Sequence, residues 1–292
     1  MKKIKVMACL VAVAIISVLF AGCGKTTTIT SEKFVKVCEK LKFEEFELED
    51  DGPELEDVED GIYAYADEDF IEDDPDEVEY FLRELGLSEV IDSNDVKSLA
   101  FSAKCIGIED IEDIEDPEDL ADIKLDGAVA LQISLDDNYA EDFMEYVEDL
   151  LDTIGIDSKD LTNKEFYSSK NEGYFRFHIN IEKLAKILLD NDDVMDLIDS
   201  VYDEDDFEDL CEQLKGDVAI SVEINGSNIF VVAGGALNTK PTVLNSFVSS
   251  YGASSNPLKV PMDEDLVSDA IEEIVDEYGD YLKYFAYYGL DF

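Results

Sequence analysis

The 292-residue chain has no tryptophan, one histidine, six prolines and five cysteines, and only 22 lysines and arginines against 73 aspartates and glutamates. Each scarcity excludes a class of function. A zinc site of the usual kind needs several His or Cys ligands, and a lone histidine with no cysteine near it in sequence cannot supply them. Nucleic-acid binding draws on Lys and Arg contacts to phosphate, and a formal net charge of −51 repels those phosphates. The absence of tryptophan removes the best stacking surface for a sugar ring, although 14 tyrosines can take its place. No G-x-S-x-G elbow, H-E-x-x-H helix, Walker loop or C-x-x-C pair occurs. Gly234-Gly235 follows a strand-like run but lacks phosphate-loop spacing. A glycosidase needs two facing carboxylates, and among 73 acids any chosen pair is arbitrary.

What is present starts with a leader. Lys2, Lys3 and Lys5 precede an apolar run over 6–20 that only Ser17 interrupts. A spanning helix needs about 20 apolar residues, so this run has the length of a cleavable secretory signal. It ends at Phe20-Ala21-Gly22-Cys23. Small residues ahead of a cysteine resemble the lipobox of bacterial lipoproteins, and the resemblance covers residues 1–23 only. It implies that the Cys23 thiol receives diacylglycerol, that the leader is cut just before it, and that Cys23 opens the mature chain, carrying fatty acids such as palmitate. Phe20 departs from the family, which usually has leucine there; Leu19 sits one place early. Each buried CH₂ contributes about 0.8 kcal/mol, so a two-chain anchor holds firmly.

Three of the 22 basic residues lie in the leader, leaving 19 against 73 acidic ones, a mature net charge of −54. An anionic bilayer surface repels such a body, so the membrane partner is reached through the lipid anchor. The complementary partners are a cationic ligand, an envelope protein or diffusely associated divalent cations; no cofactor is predicted. Hydrophobic residues make up 46% of the chain, enough for a packed core despite 33% charged residues.

Residues 24–30, GKTTTIT, form a short tether that reaches about 25 Å at full extension. Ser31 caps a predicted helix over 32–42 with Phe34, Val35, Cys38 and Leu41 on its buried stripe and Lys33, Lys36 and Lys40 opposite. With Lys25 and Lys42 these lysines form either a membrane-facing basic pole or a solvated helix face. Residues 44–60 read as an acidic loop with a short strand at 46–48, and 61–66 as a strand. Asp74-Pro75 opens a helix that ends at Gly86. Strands are predicted over 97–106 and 127–135, with Leu99, Phe101, Leu131 and Ile133 inward and Ser102, Lys104, Gln132 and Ser134 outward. The clearest helix spans 140–154, where Phe143, Met144, Val147 and Leu151 recur at helical spacing and Gly155 caps the end. A polar stretch, 157–164, is a candidate subdomain boundary. It is followed by a hairpin over 166–181, helices over 182–189, 193–202 and 206–214, a hairpin over 218–233 turning at Asn225-Gly226, a helix over 241–251 and a last helix from Asp263. The strand-strand-helix order of 97–154 recurs over 217–251 and suggests a duplication.

Several constellations have a sharp and a bland reading. The repeat Ile108-Glu-Asp, Ile111-Glu-Asp, Ile114-Glu-Asp offers carboxylate pairs for Ca²⁺, but no EF-hand loop exists; the nearest stretch, 122–127, lacks the third-position acid and the final glutamate. It reads as a solvated acidic loop. On the 140–154 helix Glu141/Glu145, Glu145/Asp149 and Glu148/Asp152 are like-charge pairs with no lysine to relieve them. His178 reads as an ordinary exposed strand residue. Cys38, Cys105 and Cys211 fall on apolar positions and read as small buried hydrophobes; a Cys105–Cys211 bridge is the alternative. Tyr278, Tyr281, Tyr284, Phe285, Tyr287 and Tyr288 read as helix packing or as an exposed aromatic surface.

Together these features predict an α+β fold, with antiparallel sheet built from hairpins and amphipathic helices packed on it. The expected layout is a signal peptide over 1–22, a lipidated tether over 23–31, and α+β subdomains over 32–157 and 158–292, or one continuous domain over 32–292. The expected protein is a non-catalytic lipoprotein held through Cys23 at the extracytoplasmic face of a Gram-positive cell membrane, binding something at the envelope. The solute-binding subunit of an importer and an envelope hydrolase are the alternatives.

Overall fold

Two eleven-residue runs of alternating side chains, at 96–106 and 125–135, build the centre of the molecule, which a computed structural model describes over residues 31–46, 55–108, 120–191, 194–195, 204–253 and 256–275. The strands are β1 (Glu44–Glu45), β2 (Ile62–Ala66), β3 (Val96–Ile106), β4 (Leu125–Leu135), β5 (Phe166–Ser168), β6 (Glu172–Asn180), β7 (Gly216–Asn225) and β8 (Asn228–Leu237). They form one eight-stranded sheet in the order β1-β2-β3-β4-β8-β7-β6-β5. β1 runs parallel to β2, and the other neighbouring strands run antiparallel. The helices are α1 (Ser31–Leu41), α2 (Leu55–Asp60), α3 (Glu68–Asp73), α4 (Pro75–Glu84), α5 (Ala140–Thr153), α6 (Ile181–Leu189), α7 (Glu204–Gln213), α8 (Thr242–Tyr251) and α9 over 264–275. This is the expected α+β class: a mostly antiparallel, hairpin-built sheet with packed helices.

The sheet is covered on both faces, and the two faces differ in chemistry. One is aliphatic: Leu99, Leu131, Ile133, Val222, Ile224 and Ile229 meet Val78 and Leu82 of α4, Phe143, Met144, Val147 and Leu151 of α5 and Ala270 of α9. The other is lined by small residues, Ala100, Ala128, Ala130 and Ala219, against which α1 and α8 press Phe34, Phe247 and Tyr251. Alanines on the sheet leave room for rings from the helices. Phe34 stacks on Tyr251 with centroids 4.5 Å apart, and Tyr251 meets Phe247 edge-on at 5.5 Å. Such ring pairs contribute about 0.5–1.5 kcal/mol each beyond their burial.

That second covered face explains where the strand readings differ from the structure. Ser102 and Gln132, expected to face solvent, are both wholly buried, because α1 and α8 close over them. Arg176 shares their face and is buried as well. The turn between β7 and β8 also differs. Asn225 pairs with Asn228, so Gly226-Ser227 are the central residues, and of the two only Gly226 has positive φ, at 61°. A type I′ turn needs both positive, which excludes it here. Gly155, at φ 75°, ends α5 as expected. A two-residue strand forms at Glu44–Glu45, most of the strand predicted at 46–48 lies outside the described residues, and 55–60, read as loop, is helical.

The apparent duplication is not a structural symmetry. β4 and β8 are antiparallel neighbours, so a two-fold axis relating β3-β4-α5 to β7-β8-α8 would run perpendicular to the sheet and place both helices on one face. Instead α5 packs on the aliphatic face and α8 on the alanine face. The leader with Cys23, the acidic repeat after Ile108, most of the 193–202 helix and the aromatic C-terminus from Tyr278 lie outside the described residues.

Candidate functional site

The most distinctive cavity sits where two short acidic helices meet the aliphatic face of the sheet. Asp67 starts α3 by accepting the Phe70 N–H at 3.0 Å, and Pro75 supplies the preset φ that begins α4. Ile71, Val78 and Leu82 anchor the pair to the sheet. Ala64 and Ala66 of β2 are too small to fill the space beneath. A cavity of about 140 Å³ remains, walled by Phe70, Phe81, Leu99 and Phe101. Phe46 stands edge-on to Phe101 with centroids 6.4 Å apart.

Glu77 and Tyr80, both solvent-exposed, line the mouth. Tyr80 is 52% exposed, one of the few large hydrophobic side chains in the described residues left so open. Its ring carries the Arg83 guanidinium at 5.1 Å. The segment EDFIEDDPDEVEY over 68–80 bears eight carboxylates and no basic residue. The arrangement is an apolar slot under an anionic roof. Apart from the Tyr80 phenol and the Glu77 carboxylate at its mouth, the slot is lined by apolar side chains. What it can do is hold an apolar group attached to positive charge.

A second, more polar hollow of about 450 Å³ lies on the other side of α4, with Glu79, Glu89, Asp92 and Tyr139 among its walls. Two of these groups, Asp92 and Tyr139, are already engaged. The Asn94 backbone N–H, at 3.0 Å, holds Asp92 below the usual carboxylate range, with further help from the Asn94 side chain. Asp95 accepts the Tyr139 hydroxyl, which pushes the phenol up to about 12, with burial adding to the shift.

His178 is not the exposed residue its strand position suggested. Its side chain is 16% exposed and Nε2 lies 2.7 Å from Asp217 Oδ1. The cause is the segment that crosses the lower edge of β6, where Pro261 bridges His178 and the Met262 N–H donates to the His178 carbonyl. The imidazole Nδ1 is buried without a hydrogen-bond partner. A general base must reach the proton it removes, and this nitrogen faces the interior. Beside it on the same face, Arg176 Nη2 lies 3.9 Å from Glu223 Oε1, with both side chains buried and the Tyr174 ring 4.6 Å from the guanidinium.

The three described cysteines are free, which removes the Cys105–Cys211 bridge. Burial pushes each thiol up to about 11, so none is a thiolate at neutral pH. Cys38 Sγ lies 3.2 Å from the Tyr251 hydroxyl, which lies 2.6 Å from Ser102 Oγ; this chain ties α1 to α8 and β3.

The 122–127 stretch, weighed for Ca²⁺, has another use. Asp126 is buried, and its carboxylate accepts the backbone N–H groups of Thr242 at 2.9 Å and Val243 at 3.1 Å and the Thr242 hydroxyl. It caps α8 from β4, a contact between residues 116 apart that no local pattern announces. Lys159 also corrects the expectation that no lysine relieves the acids of α5. Held mainly by Asp157, it also feels Asp152 and Glu148, and all three raise its pKa. Among the described residues no cluster of His, Cys, Asp and Glu is arranged to hold a metal ion. No family model, curated protein or solved structure matches the chain.

Proposed function

We propose that this protein is an extracytoplasmic lipoprotein, anchored through diacylglycerol on Cys23, whose acidic domain binds a partner at the cell envelope without catalysing a reaction. The observation that carries the reading is the leader itself: three lysines, a fifteen-residue apolar run and Ala21-Gly22 directly before Cys23. Helix α1 starts at Ser31, with only seven residues between it and Cys23, which supports a domain held near the bilayer. Among the described residues no helix is long and apolar enough to cross a membrane. The strands lie in one sheet rather than in two lobes flanking a cleft, which favours a binding module over a solute-binding importer subunit.

The test is Cys23→Ser with fractionation and fatty-acid labelling. The parent protein is expected to take up label and to partition with the membrane, and the variant to lose the label and accumulate uncleaved or in the soluble fraction. A Cys23→Ser protein that fractionates and labels like the parent overturns the proposal.

A further inference from the structure

We propose that the cavity beneath α3 and α4 docks a basic protein segment, which inserts one large apolar side chain beside Phe70, Phe81 and Phe101 while its lysines and arginines lie against the carboxylates of the two helices. The inference deepens the envelope-binding reading by naming the partner's chemistry.

Three observations select the occupant. The first is size. A dry apolar cavity of about 150 Å³ takes up a single benzene ring, so about 140 Å³ suits one aromatic or branched aliphatic side chain. The second is sign. Of the eight carboxylates over 68–80, Glu68 pairs with Lys97 at 3.4 Å; the segment itself holds no basic residue, and the whole chain carries −51. A second copy of this chain, an anionic bilayer and a nucleic acid are all repelled. The third is spacing. At 1.5 Å per residue α4 is about 15 Å long and α3 about 9 Å. Carboxylates spread over that distance are matched by a polypeptide with several separated charges, whereas a small monocation meets only one or two. The exposed Tyr80 at the mouth provides a ring face for a guanidinium or ammonium, a use Arg83 already illustrates.

The experiment uses the full chain in nanodiscs of neutral phosphatidylcholine and three synthetic peptides: a lysine-rich peptide with one central Phe, its twin with Ser in place of Phe, and a Ser/Gly peptide with the same Phe and no lysine. Binding is read by fluorescence anisotropy. The basic Phe peptide is expected to bind about tenfold more tightly than the Ser twin, the gain from burying one ring, and to weaken as salt rises. The neutral Phe peptide is expected to bind more weakly than the basic one. Ala66→Leu, which fills the cavity, should abolish the Phe-over-Ser preference. Should that variant not fold, Tyr80→Ser and Glu77→Lys at the exposed mouth carry the test: the first should reduce the preference and the second weaken both basic peptides.

Equal binding of the Phe and Ser twins overturns the proposal and leaves only diffuse attraction to acids. Equal binding of the neutral and basic Phe peptides overturns the basic-partner assignment. A preference that survives Ala66→Leu overturns the location. Cys23→Ser protein should bind the peptides like the parent, so failure of docking and failure of lipid anchoring are separate results.

Discussion

Replacing Asp126 by alanine tests how α8 is fastened to the sheet. The α8 helix begins after Pro241, which offers no side-chain acceptor at the cap position, so the Asp126 carboxylate does this work from β4. Loss of an N-cap costs about 0.5–2 kcal/mol, and each N–H left buried without a partner costs about 1–3 kcal/mol. The terms overlap, since the cap's value is partly the satisfaction of those same N–H groups, so a total of about 3 kcal/mol is the reasonable sum. For a chain of this size 1 kcal/mol moves the melting temperature by about 2–4 °C, so Asp126→Ala should melt about 6–12 °C lower. Asp126→Asn keeps the shape and one acceptor oxygen and should fall between it and the parent. The assay is thermal unfolding followed by circular dichroism. An alanine variant that melts within about 1 °C of the parent refutes the reasoning.

Two further outcomes follow from the charge and titration of the fold. The Glu141/Glu145, Glu145/Asp149 and Glu148/Asp152 pairs on α5 each destabilise by about 0.2–0.5 kcal/mol. Raising ionic strength from about 0.01 M to about 0.15 M shortens the screening length from about 30 Å to about 8 Å, so added salt or Ca²⁺ should raise the melting temperature, and a flat response contradicts this. Tyr139 donates to Asp95 and its phenol is raised to about 12, against about 10 in an unfolded chain. The stability this contributes is complete below about pH 10 and is lost as the pH rises through about 12. In a tyrosinate absorbance titration Tyr139→Phe should remove a transition near 12; removal of one near 10 contradicts the assignment.

Much of the sheet was legible because one face of it is built from large aliphatics. In β3, β4 and the β7–β8 hairpin, Leu99, Leu131, Ile133, Val222 and Ile229 alternate with smaller or polar residues, and that period locates the strands. The same alternation misled about the other face. Ser102, Gln132 and the alanines look like solvent-facing positions, and only the aromatic load of α1 and α8, far away in sequence, shows that they are covered. The α2 and α3 helices, LEDVED and EDFIED, are six residues long and mostly acidic, too short for a helical period to register. The candidate cavity could not be read from the chain at all, since it arises where Ala64 and Ala66 fail to fill the space under Phe70 and Phe81. His178 was misplaced for a related reason: Pro261, more than 80 residues downstream, crosses the edge of β6 and closes it.

The central claim is that one sulfur holds this anionic domain at the membrane, and mass spectrometry of protein isolated from its own envelope tests it most directly. The account predicts a mature N-terminal peptide that begins at Cys23 and carries a thioether-linked diacylglycerol. A peptide that retains Met1, or one in which the Cys23 thiol is free, contradicts it.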